Sequence, residues 1–181
     1  DADSDGDVDA DSDGDGDGDS DADSDVDSDA DDEVDADIDA EDCLEGWFDL
    51  STGLCWQLES TTRRGTLTEA IAYCDELDSG DSSSWRLPTI DELRTIFRNC
   101  PDSEPGGACE VHHGSSSDDF SFDCGGCGYL TGPHPDGCFL EANLRGPCVD
   151  LGYWSSSEVS DRPGEAWAAH FYDGFISGAQ M

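Results

Sequence analysis

The stretch SSSWRLPTIDELRTIFRNCP, residues 82–101, decides how the folded part of the chain is built. Thr89 is placed to cap a helix, and Glu92, three residues later, completes a capping box. The apolar residues that follow at helical spacing are Leu93, Ile96 and Phe97. The pattern predicts an amphipathic helix that ends near Asn99, because Pro101 prevents its continuation.

The preceding stretch TLTEAIAYCDELDSG, residues 66–80, repeats this device. Thr66 and Glu69 form a second capping box, which predicts that another helix begins here. The residues expected on its buried face are Leu67, Ala70, Ile71, Cys74 and Leu77. Cys74 should therefore point inward.

Two hairpins flank these helices in the sequence. EGWFDLSTGLCWQLES, residues 45–60, predicts two short strands around a turn at Ser51 to Gly53. Its candidates for burial are Trp47, Phe48, Leu54 and Trp56. EAWAAHFYDGFISG, residues 165–178, turns at Asp173 and Gly174 and places one set of side chains on a single face: Trp167, Ala169 and Phe171. The predicted fold class is α+β, with two helices packed on small antiparallel sheets.

The charge divides the chain into two parts. Residues 1–42 contain 23 acids and no base, whereas residues 43–181 contain the other 23 acids against seven arginines. We expect an acidic tail over 1–42 and one globular domain over 43–181. Such an acidic chain repels nucleic acid and anionic membrane surfaces, and no run approaches the roughly 20 apolar residues of a membrane span.

The acidic tail is a candidate calcium-binding segment. Its DxDxDG stretches match the opening of an EF-hand loop, but the acid needed at the twelfth position is replaced by Ser12, Ser20, Ala22 or Ser24. EF-hands are therefore excluded, and looser calcium binding or a solvated spacer remain. The candidate calcium ligands are Asp1, Asp3, Asp5, Asp9, Asp11, Asp13, Asp15, Asp17 and Asp19.

The nine cysteines indicate an oxidising compartment, and hence a secreted or cell-surface protein. Six of them lie in a segment, residues 100–148, that is rich in Gly, Ser, Pro and Asp and has few core residues. We expect disulfides to hold this insertion, with a further bond around the first hairpin. The disulfide candidates are Cys43, Cys55, Cys100, Cys109, Cys124, Cys127, Cys138 and Cys148.

Zinc is the alternative use of the cysteines in the insertion. Cys124 and Cys127 form a Cys-x-x-Cys pair, and His112, His113 and His134 are near in sequence. No second close cysteine pair completes a zinc finger, however, and an oxidising compartment consumes free thiols. Disulfides are therefore the favoured interpretation.

Five motifs together carry a resemblance to a known family. They are TGLCWQ, EAIAYC, WRLPTIDEL, YWSSS and AWAAHFYDG, in this order. The chain resembles the Lcl C-terminal domain family of bacterial collagen-like surface adhesins. The resemblance implies a C-type-lectin-like fold with a long variable loop region, and a role in adhesion.

The chain departs from the family pattern at its C-terminal end. Family members usually finish with a strand ending in a VRC-like segment, whose cysteine is a natural partner for Cys74, and the sequence stops at Met181 without it. The resemblance thus implies that Cys74 is unpaired. We expect truncation of the sequence before that strand as the simpler explanation; alternatively, a neighbouring molecule supplies the strand and its cysteine.

Binding is the function that these features favour. Ser, His and Asp occur, but their presence alone does not define a catalytic triad, so we expect no enzymatic activity. Trp154 is expected in the core rather than in a sugar-stacking platform. The prediction is an extracellular adhesion module on a calcium-responsive spacer, whose residues 100–148 contact a surface glycan or a protein. The alternative is a homo-oligomeric filament or sheath subunit, assembled through calcium-bridged Asp rows, edge strands or disulfide contacts.

Overall fold

The computed structural model describes residues 43, 46–59, 64–77, 85–146, 148 and 150–180. The predicted calcium ligands between Asp1 and Asp19 lie outside these residues, as does the rest of the acidic segment 1–42. The calcium prediction therefore remains a prediction.

The described part of the chain has two small antiparallel sheets and two α-helices. The elements in chain order are β1 (Gly46–Asp49), β2 (Leu54–Gln57), α1 (Leu67–Leu77), α2 (Ile90–Thr95), β3 (Tyr153–Glu158), β4 (Glu165–His170) and β5 (Phe175–Gln180). Strands β1 and β2 form one sheet, and the other has the order β3-β4-β5. The α+β class, with two helices and small antiparallel sheets, is confirmed.

The first hairpin closes through the side chain of Asp49. Its carboxylate accepts hydrogen bonds from the Ser51 amide (3.0 Å) and hydroxyl (2.7 Å), and from the Thr52 hydroxyl (2.9 Å). Burial alone would raise the pKa of Asp49, but these hydrogen bonds outweigh it and hold that pKa below its ordinary value. Gly53 follows with φ +70°, a conformation that glycine adopts without strain. The predicted turn at residues 51–53 is confirmed.

Helix α1 begins at the predicted capping box. The Thr66 amide donates to the Glu69 carboxylate at 2.8 Å, and the Glu69 amide donates back to the Thr66 hydroxyl at 3.3 Å. Leu67 and Cys74 are buried, as expected for residues seven positions apart on one helix face. Ile71 was also expected on this face and is instead exposed. Of the apolar residues of the helix, only Leu67 and Cys74 are buried, so the buried part of the helix surface is narrower than its apolar part.

Helix α2 is shorter than predicted, ending at Thr95 rather than near Asn99. The residues expected on its buried face, Leu93, Ile96 and Phe97, are buried, although the last two follow the end of the helix. Ile90, the first residue of the helix, is buried as well. The backbone after the helix pairs with the far end of the insertion, since the Arg98 amide donates to Phe139 O (2.8 Å) and the Glu141 amide donates to Ile96 O (2.9 Å). These long-range bonds replace the last helical turn.

The Thr89 cap should contribute measurably to stability. Its hydroxyl accepts from the Glu92 amide (3.2 Å), and the Glu92 carboxylate accepts from the Thr89 amide (2.7 Å). We expect Thr89→Ala to lower the free energy of unfolding by about 1 kcal/mol in denaturant titrations. Thr131→Ala, at an exposed loop position, is the control and should change it by less than about 0.5 kcal/mol. Equal effects of the two changes would contradict the role of the cap.

Strand β4 is the centre of the core. Its residues 166–169 are all buried, so both faces of the strand are covered. Helix α2 packs against β3 and β4. The insertion contributes only a few apolar side chains to this core besides its cysteines, as its composition predicted. Its buried apolar side chains are Val111, Phe139, Leu140 and Leu144.

Candidate functional site: the disulfide-stapled insertion

Four disulfides hold the folded part. They are Cys43–Cys55, Cys100–Cys127, Cys109–Cys124 and Cys138–Cys148. Three of them close loops within the insertion. Cys74 is a free thiol that is buried, and this burial raises its pKa above the ordinary value of a cysteine.

The zinc alternative at the Cys-x-x-Cys pair is contradicted by these bonds. Cys127 is joined to Cys100 and Cys124 to Cys109, so neither sulfur is available as a thiolate. The neighbouring histidines have other partners. His112 Nδ1 lies 2.8 Å from Ser115 Oγ, and His113 Nδ1 lies 3.0 Å from Ser157 Oγ.

Arg94 of helix α2 organises the start of the insertion. Its guanidinium is buried and donates to three backbone carbonyls, those of Ser103 (2.9 Å), Val111 (2.7 Å) and Glu104 (2.8 Å). These bonds satisfy loop carbonyls that the core would otherwise isolate from water. Burial lowers the pKa of Arg94, and Asp91 partly offsets this. The sequence places Arg94 next to Leu93 in the predicted helix and gives no signal for this role.

The middle of the insertion docks on the turn between β4 and β5. The Cys127 amide donates to Asp173 O at 2.7 Å, and the Leu130 amide donates to Tyr172 O at 2.8 Å. Gly126 has φ +84°, and any Cβ there would collide with the carbonyl oxygen of Asp173. The close approach of the two backbones therefore requires glycine at this position.

This docking creates an aromatic face. We define it as the side chains Phe120, Phe122, Tyr129 and Leu130 of the insertion, with His170, Tyr172 and Phe175 of the β4–β5 hairpin. The four insertion residues are among the six large hydrophobic side chains that are exposed in the described domain. Phe122 is fully exposed, and Tyr129 is 66% exposed. Exposed aromatic side chains concentrated in one loop region are typical of an interaction surface.

Five of the six rings of the aromatic face form a continuous series. Centroids are 5.9 Å apart for Phe120 and Phe175, 5.4 Å for Phe175 and His170, and 6.1 Å for His170 and Tyr172. Tyr129 continues the series at 5.5 Å from Tyr172. These separations are those of favourable edge-to-face aromatic contacts. Each ring therefore restricts the orientation of its neighbours.

Acidic groups surround this ring series. The Asp150 carboxylate accepts a hydrogen bond from the Tyr172 hydroxyl, which together with burial and Asp173 raises the pKa of Tyr172 well above its usual range. His170 Nε2 lies 3.1 Å from Ser177 Oγ, whereas its Nδ1 is buried and has no hydrogen-bond partner. The sequence predicted the turn at Asp173 but not the grouping of Asp150, Tyr172 and Asp173. Asp150 follows the end of the insertion and reaches Tyr172 only through the tertiary fold.

His170 should make stability depend on pH. Burial lowers its pKa below the ordinary 6.5, against the opposing effect of Asp173 and Asp150. Below pH 6.5 the unfolded chain therefore takes up a proton that the folded chain still excludes, so stability falls as pH falls towards the folded pKa. We expect His170→Gln to flatten this slope in denaturant titrations, and Thr131→Ala, at an exposed position without a titratable group, to leave it unchanged. An unaltered slope in His170→Gln would contradict this assignment.

A separate cleft lies between β2, α1 and β3. Its volume is about 470 Å³, and its walls include Trp56, Tyr73, Cys74 and Trp85. Trp154 was expected in the core but is only half-buried in the wall of this cleft, where its Nε1 donates to Gly65 O at 3.0 Å. The reason is that α1 and β3 leave a gap rather than packing tightly.

None of the helices in the described ranges has the length and apolar character of a membrane span.

Comparisons with known proteins give one family. No curated protein and no solved structure matches the chain. Residues 47–181 match the Lcl C-terminal domain. Because this match covers most of the chain, including both hairpins, both helices and the insertion, the protein belongs to the Lcl C-terminal domain family.

Proposed function

We propose that this chain is an extracellular, non-catalytic adhesion module of C-type-lectin-like fold, which binds its ligand through the aromatic face. The family suggests an extracellular domain of a secreted protein, and four disulfides suit an oxidising compartment. The observation that carries the proposal is the exposure of Phe122 and Tyr129 on a covalently braced loop.

The aromatic face has the physical properties of a binding surface. Aromatic side chains offer a large contact area at a low cost in side-chain entropy, and they dominate binding energy at many interfaces. The disulfides Cys100–Cys127 and Cys109–Cys124 anchor the loop before a ligand arrives, which reduces the ordering cost on binding. A pre-formed aromatic surface is therefore the favoured contact region.

The ligand that suits this surface is a glycan without negative charge. The chain has a formal net charge of −39, and Asp150 and Asp173 lie at the ring series. Sulfated or phosphorylated ligands would be repelled unless calcium bridged the two surfaces. Carboxylates and the Tyr172 hydroxyl are suitable partners for sugar hydroxyls, while the rings cover apolar sugar faces.

The acidic tail fits this function as a spacer that responds to calcium. Repulsion between alternate carboxylates would favour an extended spacer, and a fully extended chain of 42 residues would span on the order of 140 Å. Calcium bound by the candidate residues between Asp1 and Asp19 would make this spacer shorter and stiffer.

Assembly into a filament or sheath is the second candidate function. One observation favours it: β5 lies at the edge of the three-stranded sheet, where a strand from another molecule could add. Cys74 is buried, which weighs against a ready disulfide between subunits. Electron microscopy with calcium and with chelator separates the candidates, because only the second predicts assemblies that chelator dissolves.

A glycan array tests the binding proposal. We expect the full chain to bind uncharged glycans and the double variant Phe122→Ser, Tyr129→Ser to lose at least roughly tenfold in affinity. Leu50→Ser, at an exposed position outside the insertion, and Trp85→Ala, in the cleft, are the controls. Loss of binding in Trp85→Ala with retention in the double variant would place the site in the cleft. Binding confined to sulfated glycans or to proteins would overturn the assignment of the ligand.

A further inference from the structure

The loop that closes the insertion brings together donors of a kind that binds metal ions. His134, Asp136 and Cys148 offer ligand atoms that all lie within 4.8 Å of one another. His134 Nδ1 is 3.9 Å from Cys148 Sγ and 3.7 Å from Asp136 Oδ2. Cys138 is bonded to Cys148, so its sulfur belongs to the same cluster. Within the described ranges, no other group of three or more such donors lies as close.

The hydrogen bonds of His134 fix its imidazole in the form that binds metals. Nε2 lies 3.2 Å from the Leu144 carbonyl, which can only accept, so Nε2 carries the proton. The Asp136 amide donates to Nδ1 at 3.3 Å, which requires a lone pair on that nitrogen. A carbonyl that holds one ring nitrogen while the other faces a sulfur and a carboxylate is the usual support of a metal-binding histidine.

Backbone hydrogen bonds hold the turn that carries His134 and Asp136 independently of the disulfide. The His134 amide donates to Cys138 O at 3.1 Å, and the Gly137 amide donates to His134 O at 2.7 Å. Gly137 has φ +86°, which suits glycine at this tight turn. The His134 side chain is only 8% exposed, whereas that of Asp136 is 67% exposed. The cluster is thus pre-formed on one side and open to solvent on the other.

We propose that the Cys138–Cys148 disulfide is the oxidised form of a zinc site, and that its reduction creates a centre formed by Cys138, Cys148, His134 Nδ1 and Asp136. Two thiolates, one imidazole and one carboxylate are a donor set suited to four-coordinate Zn²⁺. This site is distinct from the Cys-x-x-Cys pair, whose sulfurs are bonded to two other cysteines.

The chemistry requires a dithiol reductant. The reductant supplies two electrons and two protons, the S–S bond breaks to give the Cys138 and Cys148 thiols, and the reductant becomes a disulfide. Zn²⁺ then binds both sulfurs as thiolates and releases two protons. The loop is therefore closed by a covalent bond under oxidising conditions and by a metal ion under reducing conditions.

Cobalt and zinc binding to the full chain test this site. The protein is reduced with a dithiol, freed of reductant under anaerobic conditions, and titrated with Co²⁺ in excess calcium, which occupies the many carboxylates. Thiolate-to-cobalt charge-transfer absorption reports sulfur ligation alone, and displacement by Zn²⁺ gives the zinc affinity. We expect the reduced chain to hold about one equivalent more thiolate-bound metal than the equally reduced double variant Cys138→Ser, Cys148→Ser, and the oxidised protein to show no such band.

Matched histidine variants identify the ligands. We expect His134→Gln to weaken zinc binding by at least roughly tenfold and His112→Gln, another histidine of the insertion, to leave it unchanged. Asp136→Asn, at an exposed position, provides a second variant if His134→Gln fails to fold, and it should also weaken binding. Equal zinc affinities in the wild-type chain, His134→Gln and Asp136→Asn, or absence of the charge-transfer band after reduction, would overturn the proposal.

Discussion

Replacing Cys109 and Cys124 together by alanine should lower the free energy of unfolding by about 3 kcal/mol, the entropic effect of a crosslink that closes a loop of about 15 residues. Both half-cystines are fully buried, and their sequence separation is 15. The loss of two buried sulfurs adds a packing term of the same sign. Guanidinium titrations of the oxidised variant and the wild-type chain measure the difference.

The Cys43–Cys55 bond provides the control for this prediction, since it closes the first hairpin and lies outside the insertion. The double alanine variant of that pair should also lose stability but should keep its binding to the array. The double alanine variant of Cys109 and Cys124 should lose both stability and glycan binding. Full binding by the Cys109, Cys124 variant would show that the aromatic face does not depend on the crosslink.

Arg94→Met should destabilise the domain by about 3 kcal/mol or more, because three loop carbonyls lose their donor while methionine retains much of the side-chain volume. The carbonyls affected are those of Ser103, Glu104 and Val111. Denaturant titration measures the loss. Because Arg94 ties these residues to α2, we also expect faster amide exchange around Val111.

Arg162→Met is the matched control for Arg94. Arg162 is exposed and forms a salt bridge of 3.4 Å to Glu165, an arrangement that contributes less than about 1 kcal/mol. Comparable losses in the two variants would contradict the proposed role of the buried guanidinium.

Short-range sequence patterns correctly predicted where the helices begin and where the hairpins turn. The capping boxes at Thr66 and Thr89 and the turns after Asp49 and at Asp173 each depend on residues within a few positions of one another. Such interactions are complete before any tertiary contact forms, so their patterns can be read directly.

The features that the sequence did not predict depend on long-range contacts. Helix α2 stops at Thr95 because residues 139–141 pair with the chain that follows it. The pairing of six cysteines within the insertion has 15 solutions, and spacing alone does not choose among them. The hydrogen bonds of Arg94 and the ring contacts of His170 form only where particular loops pack against each other. These contacts connect segments that are far apart in the sequence.

Hydrogen exchange at the Cys127 and Leu130 amides tests the central claim, that disulfides hold the aromatic face in place. Between residues 112 and 130 the only buried side chains are Ser115 and Cys124, so little hydrophobic burial supports this segment. We expect both amides to be protected in the oxidised protein and to exchange at rates typical of an unfolded chain after reduction. Unchanged protection after complete reduction would contradict the account.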